Sequence, residues 1–234
     1  MNITLNERAP TPLELSSAIL LYQRENEALA VKHSVRLRKD GSTYLGPGHF
    51  VTADIVRSFG ALLDQQPLTF LPENVVAVGR DATAWFEPAA VRTMFFKPHT
   101  DMAVAAFDGK QIPQPPLLFV ARARSLRVFA LLENERPTAG SALALAPYWN
   151  IPGPDGTVCL GSMALPKTVA PETTADISEA FFNSEFTHVN GPAKPWAHPG
   201  TYAELLRDAI AAVHFEAAWL KPTNLTVSKA ICGR

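Results

Sequence analysis

Residues 148–161 read YWNIPGPDGTVCLG. Pro152, Gly153, Pro154, Asp155 and Gly156 exclude regular helix or strand from about 150 to 156, and Asp155-Gly156 is a strong turn pair. Val158, Cys159 and Leu160 then form a very short apolar segment, so one of the chain's 2 cysteines is presented beside a loop. A thiolate is both a good nucleophile and a good leaving group, which suits acyl transfer through a thioester. Such transfer needs a donor for the developing oxyanion, and the amide of Asn150 is the nearest one in sequence. The same residues also admit a purely structural reading, because cysteine often packs as a small hydrophobe and asparagine in a turn usually bonds its own backbone. Thr157 stands where a G-x-C-x-G elbow would need glycine, so that hydrolase-like arrangement is excluded.

Composition limits what the stretch can belong to. A chain of 234 residues with 47% hydrophobic content can bury a substantial core, so disorder is excluded. The 21 Lys and Arg nearly cancel the 22 Asp and Glu. No global field of the kind that draws nucleic acid or an anionic membrane results, and any partner must be recognised locally. The opening residues MNITLNERAPTP lack the features of a signal peptide, and no apolar run approaches the roughly 18 residues of a membrane span. The expectation is a soluble, cytoplasmic protein in a reducing compartment, with Cys159 and Cys232 as free thiols.

Outward from the cysteine, the period of the apolar pattern changes on each side. Upstream, from Asn74 to Pro147, short runs such as VVAVG, TAWFEP, VRTMFF, LLFVARA, LRVFALL and SALALA read as an antiparallel meander. Downstream, helical spacing predicts helices over 176–186 and 201–220. Asp176 with Glu179 and Thr201 with Glu204 match the capping-box pattern. Leu205, Leu206, Ala209, Ile210 and Val213 would form the buried stripe of the second. Near the start, strands are expected over 13–23 and 28–37, a turn at KDGS, and a helix between His49 and Leu63 with Thr52 as a possible cap. The fold class is therefore α+β, divided into an N-terminal strand and helix extension, residues 1–73, and a core, residues 74–234.

The segment resembles the active-site signature of ubiquitin-conjugating enzymes, in which a His-Pro-Asn triplet precedes a short loop and then Gly-x-Ile/Val-Cys-Leu. Tyr148-Trp149-Asn150 occupies the triplet, and Gly156-Thr157-Val158-Cys159-Leu160 the end. The run ENERPTAGSALALAPYWN is similar to the last meander strand of that family, and Asp176 to Phe186 to the helix after its active site. The whole chain is most similar to the plasmid-associated prokaryotic branch called PRTRC system protein B. The resemblance implies an ubiquitin-conjugating-like meander flanked by helices, with an additional N-terminal α/β portion. It implies that Cys159 carries a small ubiquitin-like protein as a thioester and that Asn150 orients or stabilises the oxyanion during attack by an amine. A ThiF-like adenylating enzyme would load it. The alternative is an inactive conjugating-enzyme-like binding or scaffold module. Tyr148 and Trp149 in place of His and Pro, and a loop one residue longer, set this chain apart.

His188 reads either as an electrostatically favourable histidine near a helix stop at Asn190, Gly191 and Pro192 or as a base near Cys159. His198 could pair with it, yet no spacing resembles a zinc site; neither metal nor cofactor is expected. Arg122, Arg124 and Arg127 cluster around an expected hairpin turn, as a solvated strand edge or a docking patch for an acidic partner. Cys232, near the end, is expected to fray.

Overall fold

The computed structural model describes residues 15–24, 27–57, 70–79, 81–98, 101–161, 163–188 and 194–232. The chain divides into two compact units, Met1–Thr69 and Phe70–Arg234.

In the first unit β1 (Ser17–Arg24), β2 (Glu27–Leu37) and β3 (Thr43–Phe50) form an antiparallel sheet of their own in the order β1-β2-β3. The KDGS turn forms as expected. Asp40 Oδ1 accepts from the Ser42 amide at 2.9 Å and its hydroxyl at 2.7 Å, and Gly41 takes a φ of 83°. His49 and Phe50, expected to open a helix, belong to β3, where they pair with Lys32 and Val31. Cross-strand pairing overrides the local helical period there. The helix α1 begins at 53 and is described to 57; Thr52 Oγ1 accepts from the Ile55 amide at 3.5 Å. The rest of that expected helix, 58–63, lies outside the described residues, as does the expected stop at Asn190 to Pro192.

The second unit is built on a six-stranded sheet. Its strands are β4 (Val75–Gly79), β5 (Ala82–Glu87), β8 (Leu117–Arg122), β9 (Ser125–Leu131), β10 (Ala142–Leu145) and β12 (Lys221–Thr226), in the order β12-β10-β9-β8-β5-β4. All its pairings are antiparallel. The architecture is α+β, as the sequence predicts. One feature was not legible: β6 (Ala90–Phe96) and β7 (Lys110–Gln114) leave the sheet as a separate hairpin, joined in parallel by β11 (Glu185–Phe186). Strand β8 therefore returns to pair with β5, setting Trp85 opposite Phe119 and Phe86 opposite Leu118. Pro88, between β5 and β6, lacks the N–H a continuing ladder would use.

Both faces of the sheet are covered, which explains the nearly continuous apolar runs of β8 and β9. One face presents Trp85, Phe119 and Val128 to α3 (Thr174–Phe182). Trp85 and Phe119 stack at 5.1 Å, Phe181 meets Phe119 edge-on at 5.4 Å, and Trp85 Nε1 donates to Ser178 Oγ at 2.9 Å. The other face presents Phe86, Leu118, Phe129 and Leu143 to α5 (Val227–Cys232) through Val227 and Ala230. A four-residue helix, α2 (Met102–Ala105), precedes β7.

The helices differ from expectation at their ends. Asp176 is not a cap: α3 starts at Thr174 behind a 3-10 turn at Pro171–Thr173, where the Thr173 hydroxyl donates to the Ala170 carbonyl at 2.9 Å. The helix stops at Phe182 rather than 186, because Phe186 is drawn into β11 and fully buried. In α4 (Tyr202–Ala212) the Thr201–Glu204 capping box is present as expected. That helix ends at Ala212, eight residues before the expected end at 220, because Val213 takes a φ of 64°. Leu205, Leu206 and Ala209 are buried, whereas Ile210 is 37% and Val213 75% exposed. The stripe is corrected accordingly: once the chain leaves the helix at 213, the helical period no longer dictates which side faces inward. Cys232 closes α5 as its last residue and is exposed.

Candidate functional site

Strand β10 delivers the chain to Tyr148, Trp149 and Asn150. Tyr148 is buried; its hydroxyl donates to Gln114 Oε1 at 2.8 Å, and Gln114 Nε2 donates in turn to the Ile112 carbonyl at 3.0 Å. Its ring stacks on Phe186 at 5.8 Å and meets Phe181 edge-on at 5.2 Å. Burial pushes the Tyr148 hydroxyl well above the usual tyrosine range, so it stays a neutral donor. Trp149 is buried too, 5.1 Å from the Tyr202 ring at the start of α4. Two interlocked aromatic side chains thus fix the backbone immediately before Asn150.

The loop that follows is held by its own polar groups. The Asp155 carboxylate accepts from the Thr157 hydroxyl at 2.7 Å and from its amide at 3.3 Å. The hydroxyl bond, ahead of the other causes, holds the Asp155 pKa below the usual carboxylate value. Gly156 has a φ of 75°, and a Cβ there would lie 2.7 Å from the Phe129 ring and 2.9 Å from the Val128 carbonyl oxygen. Glycine is required on both counts.

Residues 156–158 then lie along β9. The Val128 amide donates to the Gly156 carbonyl and the Val158 amide to the Leu126 carbonyl, each at 2.8 Å, around an antiparallel bridge between Arg127 and Thr157. Strand-like alternation buries Val158 and turns Cys159 outward, where its thiol is exposed. Leu160 packs back against the core, and Gly161, at φ 53°, turns the chain away.

The fold brings Cys159 and Asn150 together: the Cys159 amide donates to the Asn150 carbonyl at 2.7 Å. Asn150 is half-buried, and its Oδ1 is buried with no hydrogen-bond partner. His188 is exposed two residues beyond β11, its Nδ1 2.8 Å from Thr187 Oγ1. His198 is buried and engaged on both nitrogens. Nδ1 accepts from the Gly200 amide at 3.0 Å, Nε2 lies 3.0 Å from Asp208 Oδ2, and the ring meets Trp219 edge-on. It braces the approach to α4. Among the described residues, no group of three or more His, Cys, Asp or Glu is placed to hold a metal ion.

The arginine cluster is corrected. Arg122 donates to the Ile231 carbonyl at 2.9 Å, and Arg127 to the Ala230 carbonyl at 2.8 Å and the Asp155 carbonyl at 2.6 Å. These two side chains satisfy the C-terminal carbonyls of α5, a favourable place for cations, and Arg127 also ties the cysteine loop to the sheet. Neither is merely a solvated edge. Sequence reasoning missed Gln114 and Arg127 as supports of the loop. Their partners lie 34 and 28 residues away, and nothing local marks such contacts.

A family model described as prokaryotic E2 family D matches residues 52–222, well over half of the chain. Comparison with curated proteins and with solved structures returned no match. The chain belongs to prokaryotic E2 family D, and is thus a conjugating-enzyme-like protein.

Proposed function

From that membership we propose that the protein is a cysteine-dependent transferase, carrying a small ubiquitin-like protein as a thioester on Cys159 and passing it to an amine. The observation that carries this reading is the exposed Cys159 thiol on a loop clamped to β9 and bonded through its amide to Asn150.

In the first step Cys159 Sγ, as thiolate, attacks the activated C-terminal carbonyl of the carrier. A carbon–sulfur bond forms while the bond to the activating group breaks. In the second, an amine attacks the thioester carbonyl, an amide bond forms, and Cys159 leaves as thiolate. Negative charge gathers on the carbonyl oxygen during this attack, and Asn150 Nδ2 is the donor we assign to it. The amine's proton needs an acceptor; an imidazole is the commonest general base, and His188 is the histidine proposed for that part. Tyr148 and Trp149 take the place of His and Pro by packing, not by chemistry. The partners are a ThiF-like adenylating enzyme and a small ubiquitin-like protein, in keeping with the resemblance to PRTRC system protein B.

The test is incubation with such an adenylating enzyme, its ubiquitin-like protein and ATP. A thiol-sensitive adduct is expected, and Cys159→Ser should convert it to a slowly cleaved ester or abolish it. Loading that persists in Cys159→Ala overturns the assignment, and a complete lack of adduct on the wild-type chain points to a binding or scaffold module instead.

A further inference from the structure

A groove of about 710 Å³ opens beside the cysteine loop, lined by residues 151–155, by Lys194 and Pro195, and by 221–225 of β12, with Leu145 and Arg127 completing it. Cys159 is not part of its lining. Most of the surface is apolar: Leu145, Ile151 and Leu225, together with four prolines. Among the described lining residues three cations, Arg127, Lys194 and Lys221, face one carboxylate, Asp155, which Thr157 already engages. Lys194 Nζ donates to the Gly200 carbonyl at 3.0 Å, and Lys221 Nζ to the Lys194 carbonyl at 3.4 Å. Neither ammonium meets a carboxylate among the described residues. Three cations against one acid leave a local excess of two positive charges on a chain whose net charge is -1. This is charge placed locally, not an overall field.

The geometry points to an extended acidic segment of a protein partner as the occupant of this groove, with aliphatic side chains against the prolines and carboxylates over Lys194 and Lys221. Rigid proline surfaces suit an extended chain, and Pro222 removes an N–H that strand addition on β12 would use. Among the described residues its lining includes no aromatic ring, so those residues offer no stacking platform of the kind by which single-stranded nucleic acid is usually held. The inference does not depend on thioester chemistry at Cys159.

The probe is a short fluorescein-labelled peptide alternating glutamate and leucine, compared with its lysine-for-glutamate counterpart and with oligouridylate, by fluorescence anisotropy on the full chain. Saturable binding of the acidic peptide alone is expected, weakening as salt is raised. A Lys194→Gln/Lys221→Gln double variant, its fold checked by circular dichroism, should bind about tenfold more weakly, while Lys39→Gln should not change binding. Cys159→Ala should bind as the wild type does, so loss of transfer and loss of docking are read separately. Absence of saturable binding, equal binding by the double variant, or binding of the basic peptide overturns the proposal. Oligouridylate bound through the same lysines overturns it in favour of nucleic acid.

Discussion

The backbone amide of Cys159 donates to the backbone carbonyl of Asn150 at 2.7 Å, a main-chain bond that spans the loop between them. That bond uses no atom of the Asn150 side chain, so replacing the side chain does not remove it. Asn150→Ala should load at the wild-type rate and discharge to an amine on the order of 100-fold more slowly, the effect of removing a full oxyanion donor. Single-turnover discharge assays check this. A wild-type discharge rate would show that the changed triplet has moved the donor elsewhere.

Gly156→Ala should destabilise the protein by about 1–3 kcal/mol, since it adds a Cβ against Phe129 and Val128 and places an L-residue at positive φ. Urea unfolding measures the loss, and faster alkylation of Cys159 should accompany it as the clamp on β9 loosens. Gly140→Ala, where a Cβ meets nothing within 4 Å, is the matched control.

Tyr148→Phe deletes one hydroxyl and leaves Gln114 Oε1 unpaired among buried side chains. A loss of about 1–3 kcal/mol is expected. Calorimetry of this variant beside Gln114→Leu, with the double variant, should show a positive coupling between the two positions. Strictly additive losses would count against the bond.

Thr157 holds the Asp155 carboxyl below its ordinary pKa. The sign follows: a carboxylate with a depressed folded-state pKa contributes above the unfolded value, about 4, and the contribution is lost as pH falls through the lower folded value. Hydrogen-exchange protection factors of the amides in 153–158, each taken against its intrinsic rate at that pH, should therefore fall below about pH 4 in the wild type. In Asp155→Ala the protection should already be low at neutral pH, with little further change on acidification.

On α4, Leu206→Ala should cost about 2–5 kcal/mol and Ile210→Ala under about 1, although both occupy the apolar stripe read from periodicity. Leu206 is 4% exposed and Ile210 37%. Equal losses in urea unfolding would restore the wider stripe.

The features legible in the sequence are those decided within a few residues. The Thr201–Glu204 box and the Asp40 turn are built from side chains that bond their own neighbouring backbone, so residue type and spacing suffice. The approach to Cys159 is legible for the same reason, since proline and glycine act on their own dihedral angles. The strands of the meander were readable from composition, yet their partners were not: β5 and β8 pair across an intervening hairpin, and β6 joins β11 from beyond the cysteine. Tertiary structure alone decided where α3 and α4 stop, because pairing of Phe186 with Phe96 and the turn at Val213 override a helical period that continues in the sequence. It also decided that Arg127 ties the cysteine loop to α5 and that Tyr148 reaches Gln114. Their pairing energy exists only after distant segments have been brought together, and a pattern read along the chain holds no trace of which segments those will be.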